Sequence, residues 1–162
     1  MVKSTHPIQV DLANKGGYRV DRIREQHKRL GWEVDYRPVN ANGVDLVCYK
    51  KQSPKDPNAI CIDGNIYPKE IVKVYEITNW SIKGWMSVKR AKGIVNNLNE
   101  EAIYQRSIHP RAYILKILVV SYNQNIERIR LDLWLNSEIY IEVVGYDEEA
   151  PVVDKPIDGW VK

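Results

Sequence analysis

Apolar residues along this chain fall into two regimes, one with a repeat near 3.6 and one with a repeat of two. Between Gly16-Gly17 and Gly31, Val20, Ile23, His27 and Leu30 recur at three- and four-residue intervals. That spacing predicts a helix over about 18–30, with Arg19, Arg22, Arg24, Lys28 and Arg29 on its other surfaces and Gly31 as its stop. Alternation then predicts strands over Trp32–Arg37, Val44–Tyr49 and Ile71–Thr78, with Pro38 to Gly43 as a turn. The polar stretch 50–58 is read as a loop. Ile60–Ile62 and Asn65–Tyr67 flank Asp63-Gly64, the signature of a small hairpin flap.

Helical spacing returns with Trp85, Val88, Ala91, Val95, Leu98 and Ala102. A helix is expected to start after Trp80-Ser81 or Gly84 and to run to about Tyr104, with Gly93 permitting a bend. Tyr113–Tyr122 is nearly continuous apolar sequence, as in a central strand covered on both faces. Ile126–Leu135 fits either a short helix or a strand. Ile139–Val144 is the last expected strand, near an edge. This order implies an α/β fold, a sheet covered by helices, in a single domain over 1–146. Residues 147–162 are acidic, contain Pro151 and Pro156, and are read as a tail on the body, with Trp160 as its anchor.

Composition narrows the class. At 162 residues with 44% hydrophobic and 28% charged residues, the chain can bury a core and is not of disordered type. It shows neither a membrane-length apolar stretch nor a secretory leader, so no membrane association is expected, and a cytoplasmic or host-intracellular setting is. Cys48 and Cys61 lie in apolar, strand-like contexts and are read as reduced thiols. Two cysteines with three scattered histidines do not make a zinc site. Residues 1–55 carry 11 Lys/Arg against 6 Asp/Glu, whereas residues 138–162 carry 2 against 7. A basic body with an acidic end suits a phosphate-binding face away from the C-terminus, and also ordinary solubility.

Two acids break the apolar pattern. Alternation sets Val44, Leu46 and Cys48 on one face of their strand and Asp45, Val47 and Tyr49 on the other. Glu76 shares a face with Val72, Val74 and Thr78. If the two strands pair antiparallel, the carboxylates become neighbours that repel, and a divalent cation with a preference for oxygen resolves that conflict. Solvated or lysine-paired strand residues give the same spacing, so spacing alone leaves both readings open.

Asn14-Lys15-Gly16, Asp21-Arg22-Ile23, Gly31-Trp32-Glu33-Val34, Gly43-Val44-Asp45-Leu46-Val47 and Glu76-Ile77-Thr78 occur in an order that resembles the PD-(D/E)xK nuclease superfamily. It resembles especially small archaeal Holliday-junction-resolvase-like and restriction-endonuclease-like proteins. It spans about residues 14–120. It implies a restriction-endonuclease-like mixed sheet flanked by helices, and Mg2+-dependent hydrolysis of DNA phosphodiesters, with Mn2+ as the substitute ion. Asp45 and Glu76 match the metal-binding acids. Asp21 matches a helical acid, with Glu25 as its alternative, and the Ile77 carbonyl falls where a further ligand belongs. Thr78 departs from the pattern, which has lysine there. Lys89 or Lys92 on the following helix is expected to replace it, since Lys73 has the wrong strand parity.

Arg37, Asn40, Asn42, Lys50 and Lys51 flank Asp45 in sequence, and Lys83, Lys89 and Arg90 follow Glu76. All are candidate contacts to DNA phosphates. Trp80 is the better candidate for stacking on bases, while Trp85 and His27 are read as core residues. A homodimer is expected if both strands of a duplex are cut. A DNA-binding or assembly module that kept the fold without turnover is the alternative.

Overall fold

The computed structural model describes residues 19–36, 43–57, 59–62, 66–78, 86–121 and 124–146. Helix α1 covers residues 19–29. The remaining elements are β1 (Glu33–Tyr36), β2 (Leu46–Lys51), β3 (Glu70–Ile77), α2 (Val88–Ile108), β4 (Tyr113–Ser121), α3 (Ile126–Ser137) and β5 (Glu142–Tyr146). The five strands form one sheet in the order β1-β2-β3-β4-β5. β1–β2 and β2–β3 are antiparallel; β3–β4 and β4–β5 are parallel. Parallel neighbours need long crossovers, and α2 and α3 supply them.

Strand alternation divides the core into two layers. Leu46, Cys48, Ile71, Tyr75, Leu115, Ile117 and Val119 pack with Val20 and Ile23 of α1. Val47, Val72, Val74, Leu118 and Val120 pack with Ala91, Val95 and Leu98 of α2 and Ile129 and Leu133 of α3. The sheet is therefore covered on both faces, as its long apolar strands require.

Several expectations change in detail. The second helix begins at Val88, capped by the Ser87 hydroxyl, which accepts from the Arg90 amide, and it runs unbroken through Gly93 to Ile108. Val88, expected inside, is exposed at the first position of the helix. The ambiguous segment after Asn125 is a helix. The Asn125 side chain caps it, and Glu138 in the left-handed region (φ 56°) ends it. Val44 joins the α2-side layer despite its parity, because β2 starts only at Leu46, after Gly43 turns the chain at φ +104°. The Asp63-Gly64 turn, Trp80, Trp85 and the acidic tail lie outside the described residues.

Candidate metal and nucleic-acid site

The antiparallel register of β2 and β3 carries Asp45 and Glu76 to one place. Leu46 pairs with Tyr75, so Asp45, one residue earlier, comes beside Glu76 at the C-terminal end of β3, just past the last paired residues. The Asp45 amide donates to the Tyr75 carbonyl (3.0 Å). Its Oδ2 accepts from the Ile77 amide at 2.7 Å. The carboxylate thus takes an acceptor's place on the edge of β3, just beyond the point where regular β2 pairing begins.

Burial raises the proton affinity of both acids. Asp45 is pushed up by desolvation and pulled back by the Ile77 hydrogen bond. Glu76 is pushed up to about 8, first by desolvation and then by the negative charge of Asp45, while a hydrogen bond from the Asn97 side chain opposes both. Glu76 Oε2 is buried and, among the described residues, has no hydrogen-bond partner. An orphaned carboxylate oxygen beside a second carboxylate matches the needs of a hard divalent ion. Mg2+ commonly takes only one or two protein carboxylates and keeps water on its other positions.

The third expected acid does not join them. Among the described residues no three His, Cys, Asp or Glu side chains come close enough to hold one ion. Asp21 is exposed on α1, in a shallow depression with Arg22, Glu25, Gln26 and Arg29. The inward stripe of α1 is Val20, Ile23 and His27, and Asp21 falls off it. Ile77 offers its amide to Asp45.

Thr78 is buried, and its amide and its hydroxyl both donate to the Val119 carbonyl, at 2.9 and 3.0 Å. Its own carbonyl accepts from Arg19 of α1 at 2.6 Å. The hydroxyl is therefore committed to strand β4. Lys89 and Lys92 are exposed on the first half of α2, and among the described residues neither is one of the groups that shift Glu76. Lys73 lies on the α1 face, as its parity requires. It is 3% exposed, 3.4 Å from His27 Nε2 and 4.8 Å from the centre of the Trp32 ring.

The expected phosphate contacts divide. Arg90 is exposed in the first turn of α2. Lys50 and Lys51 end β2, on the order of 20 Å from Asp45 at the usual rise per strand residue. Lys50 is buried, paired with Asp56 at 3.3 Å and set over Trp32. Lys51 lines a separate depression with Glu33, Tyr49, Glu70 and His109. Adjacency to Asp45 in sequence misplaced both, because an extended strand carries its two ends apart. Arg37, Asn40, Asn42 and Lys83 lie outside the described residues.

Two residues near the acids escaped the sequence reading. Asn97 reaches Glu76 from α2, and its only sequence signal is a polar residue between Val95 and Leu98 of the core. Lys116 shares the sheet face of Ile114 and Leu118, two residues before the Leu118 that pairs with Glu76. Desolvation lowers its proton affinity. A lysine inside the apolar Tyr113–Tyr122 run was the available clue.

No protein-family model matches the chain, and no curated protein matches it. Among solved structures, restriction endonuclease FokI superposes with a TM-score of 0.50 at 10% identity, over 85% of this chain. FokI bound to DNA superposes with a TM-score of 0.41 at 12% identity, over 88% of this chain. The chain spans about a quarter of the length of each, 24% and 28%. The first likeness defines the fold: an α/β restriction-endonuclease-like mixed sheet flanked by helices.

Proposed function

We propose that the protein is a metal-dependent DNA endonuclease whose acids are Asp45 and Glu76. The observation that carries this reading is the buried Glu76 Oε2, without a hydrogen-bond partner among the described residues, in the field of the Asp45 carboxylate at the C-terminal end of β3. Asp45 and Glu76 would hold Mg2+, with Mn2+ as substitute, and the bound ion would supply Lewis acidity and an activated water. The chain's own part is to fix two carboxyl groups side by side, to be held ionised by the bound metal, and to offer Lys89, Arg90 and Lys92 along α2 to the phosphates of DNA. The positive charge that Thr78 lacks falls to Lys89 or Lys92, or to Lys116 on the same sheet face as Glu76. Two strands are cut by two sites, so a homodimer belongs to this reading. α3 presents Leu131, Trp134 and Leu135 as an exposed apolar stripe.

The test is cleavage of junction, single-stranded and duplex DNA by purified protein with Mg2+ or Mn2+, with Glu76→Ala in parallel. Cleavage by the natural protein and none by the variant is the expected result; equal cleavage by both removes the site. The commitment of the Thr78 hydroxyl to Val119 favours one second reading, a DNA-binding relative without turnover. It requires salt-sensitive binding to DNA with no Mg2+-dependent product.

A further inference from the structure

The parallel strands β3, β4 and β5 end on the edge of the sheet that carries Glu76, and one side chain of α1 reaches all three ends. Arg19 Nη1 donates to the carbonyl of Thr78, the residue just past β3, at 2.6 Å. Its Nη2 donates to the hydroxyl of Ser121, the last residue of β4, at 3.3 Å. Its guanidinium lies over the ring of Tyr146, the last residue of β5, 5.1 Å from the ring centre. A planar fork of donors that also stacks on aromatic faces can make all three contacts at once, which a lysine ammonium cannot.

The contact with Thr78 bears on the acids through the backbone. Three consecutive peptide units follow Glu76, and each is held by a hydrogen bond. The Ile77 amide donates to Asp45 Oδ2 at 2.7 Å, the Thr78 amide donates to the Val119 carbonyl at 2.9 Å, and the Thr78 carbonyl accepts from Arg19. Regular pairing of β2 with β3 stops at Leu46 and Tyr75, so on that side the Ile77 unit is held by the Asp45 side chain and not by a ladder. A strand opens most easily from its end inward. Arg19 closes the outermost of the three units, and the bond between Ile77 and Asp45 is two units inside it.

We propose that Arg19 is a positioning residue for the acid pair, fixing the end of β3 at the place where the Ile77 amide meets Asp45 and Glu76 stands beside it. The inference rests on the metal-site reading above. Arg19 acts through Thr78 and Ile77, so its loss loosens the acids and removes neither. Groups that hold a metal ligand from behind typically govern affinity about ten- to a hundredfold, and one that acts through the backbone belongs at the lower figure.

The experiment uses the whole protein without DNA and reads two quantities, Mn2+ affinity by calorimetry and the hydrogen exchange of single backbone amides by nuclear magnetic resonance. It compares the natural chain with Arg19→Ala, Arg19→Lys, Glu76→Ala and Lys50→Ala. The last lowers stability at the opposite end of β2, where Lys50 pairs with Asp56. Arg19→Ala is expected to weaken Mn2+ binding about tenfold and to speed exchange of the Ile77 amide, while the amide of Val74 in the middle of β3 stays protected. Arg19→Lys keeps one donor for Thr78 and is expected to recover part of both; it carries the same comparison if the alanine variant does not fold. Lys50→Ala is expected to keep natural affinity, and Glu76→Ala to lose binding. Natural affinity in Arg19→Ala alongside lost binding in Glu76→Ala overturns the role of Arg19 and leaves the metal site standing. Equal acceleration at Ile77 and Val74, or an equal loss of affinity in Lys50→Ala, reduces Arg19 to general stability and overturns the inference as well. Natural affinity in Glu76→Ala, or no binding by the natural chain, removes the metal site and the inference with it.

Discussion

The Ile77 amide donates to Asp45 Oδ2 at 2.7 Å, so the residue directly after one acid anchors the other. The two carboxylates are thereby tied through a single peptide unit of β3, and neither can shift along its strand alone. This separates two kinds of substitution. Asp45→Asn keeps an oxygen for the Ile77 amide but loses the charge. It should fold like the natural chain and lose Mg2+-dependent cleavage. Asp45→Ala leaves the amide without its acceptor and should in addition cost about 1–3 kcal/mol of stability. Chemical denaturation beside a plasmid-nicking assay distinguishes the two.

Glu76 links stability to pH. Its carboxyl titrates near 8 in the folded chain and near the ordinary 4.5 when unfolded. Between those values the folded state binds the extra proton, so its contribution to stability falls as pH rises from about 4.5 to about 8. Glu76→Gln should flatten that decline in melting temperature. Millimolar Mg2+ should reverse it in the natural chain by binding the folded state alone. A melting temperature indifferent to Mg2+ at pH 8 would count against an ion at this position.

Arg90 and Lys50 should behave differently toward DNA. Arg90→Ala should weaken binding to all sequences and lower the slope of log affinity against log salt by about 1. Lys50→Ala should leave that slope unchanged, because Lys50 is turned inward onto Asp56 and Trp32. Its cost should appear in stability, at roughly 1–3 kcal/mol for a buried hydrogen-bonded charge lost from its partner. Filter binding across a salt series, with melting curves for both variants, checks the pair.

His27 has the opposite pH sense to Glu76. Burial, reinforced by Lys73, depresses it to about 3, and its Nδ1 lies 2.7 Å from the Ile23 carbonyl. The unfolded chain binds the proton first, so stability is present above about 6.5 and is lost as pH falls toward 3. His27→Gln should move the acid-unfolding midpoint to lower pH, as followed by far-ultraviolet circular dichroism.

Much of the scaffold was legible because its elements bury opposite faces. The parity that grouped Val72, Val74 and Glu76 is the parity that packs β3 on α2, and the antiparallel pairing that joined Asp45 to Glu76 needed only strand alternation. The ambiguity at Ile126–Leu135 was real. Helix α3 has Leu131, Trp134 and Leu135 exposed, so its apolar residues do not mark one inward stripe. Long-range placement was the harder part. Asp21 required the rotation of α1 about its axis, Lys50 and Lys51 the direction in which β2 runs from the site, and Asn97 the depth at which α2 crosses β3. None of these is a local property of the sequence.

β3 is the middle strand of five, hydrogen-bonded along both sides. A side chain mounted there cannot be brought into place by a moving loop. The electrostatic burden of crowding Glu76 against Asp45 is therefore met once, when the sheet assembles, and an arriving ligand encounters a finished arrangement. Its capture should leave little rearrangement of the strands to wait for.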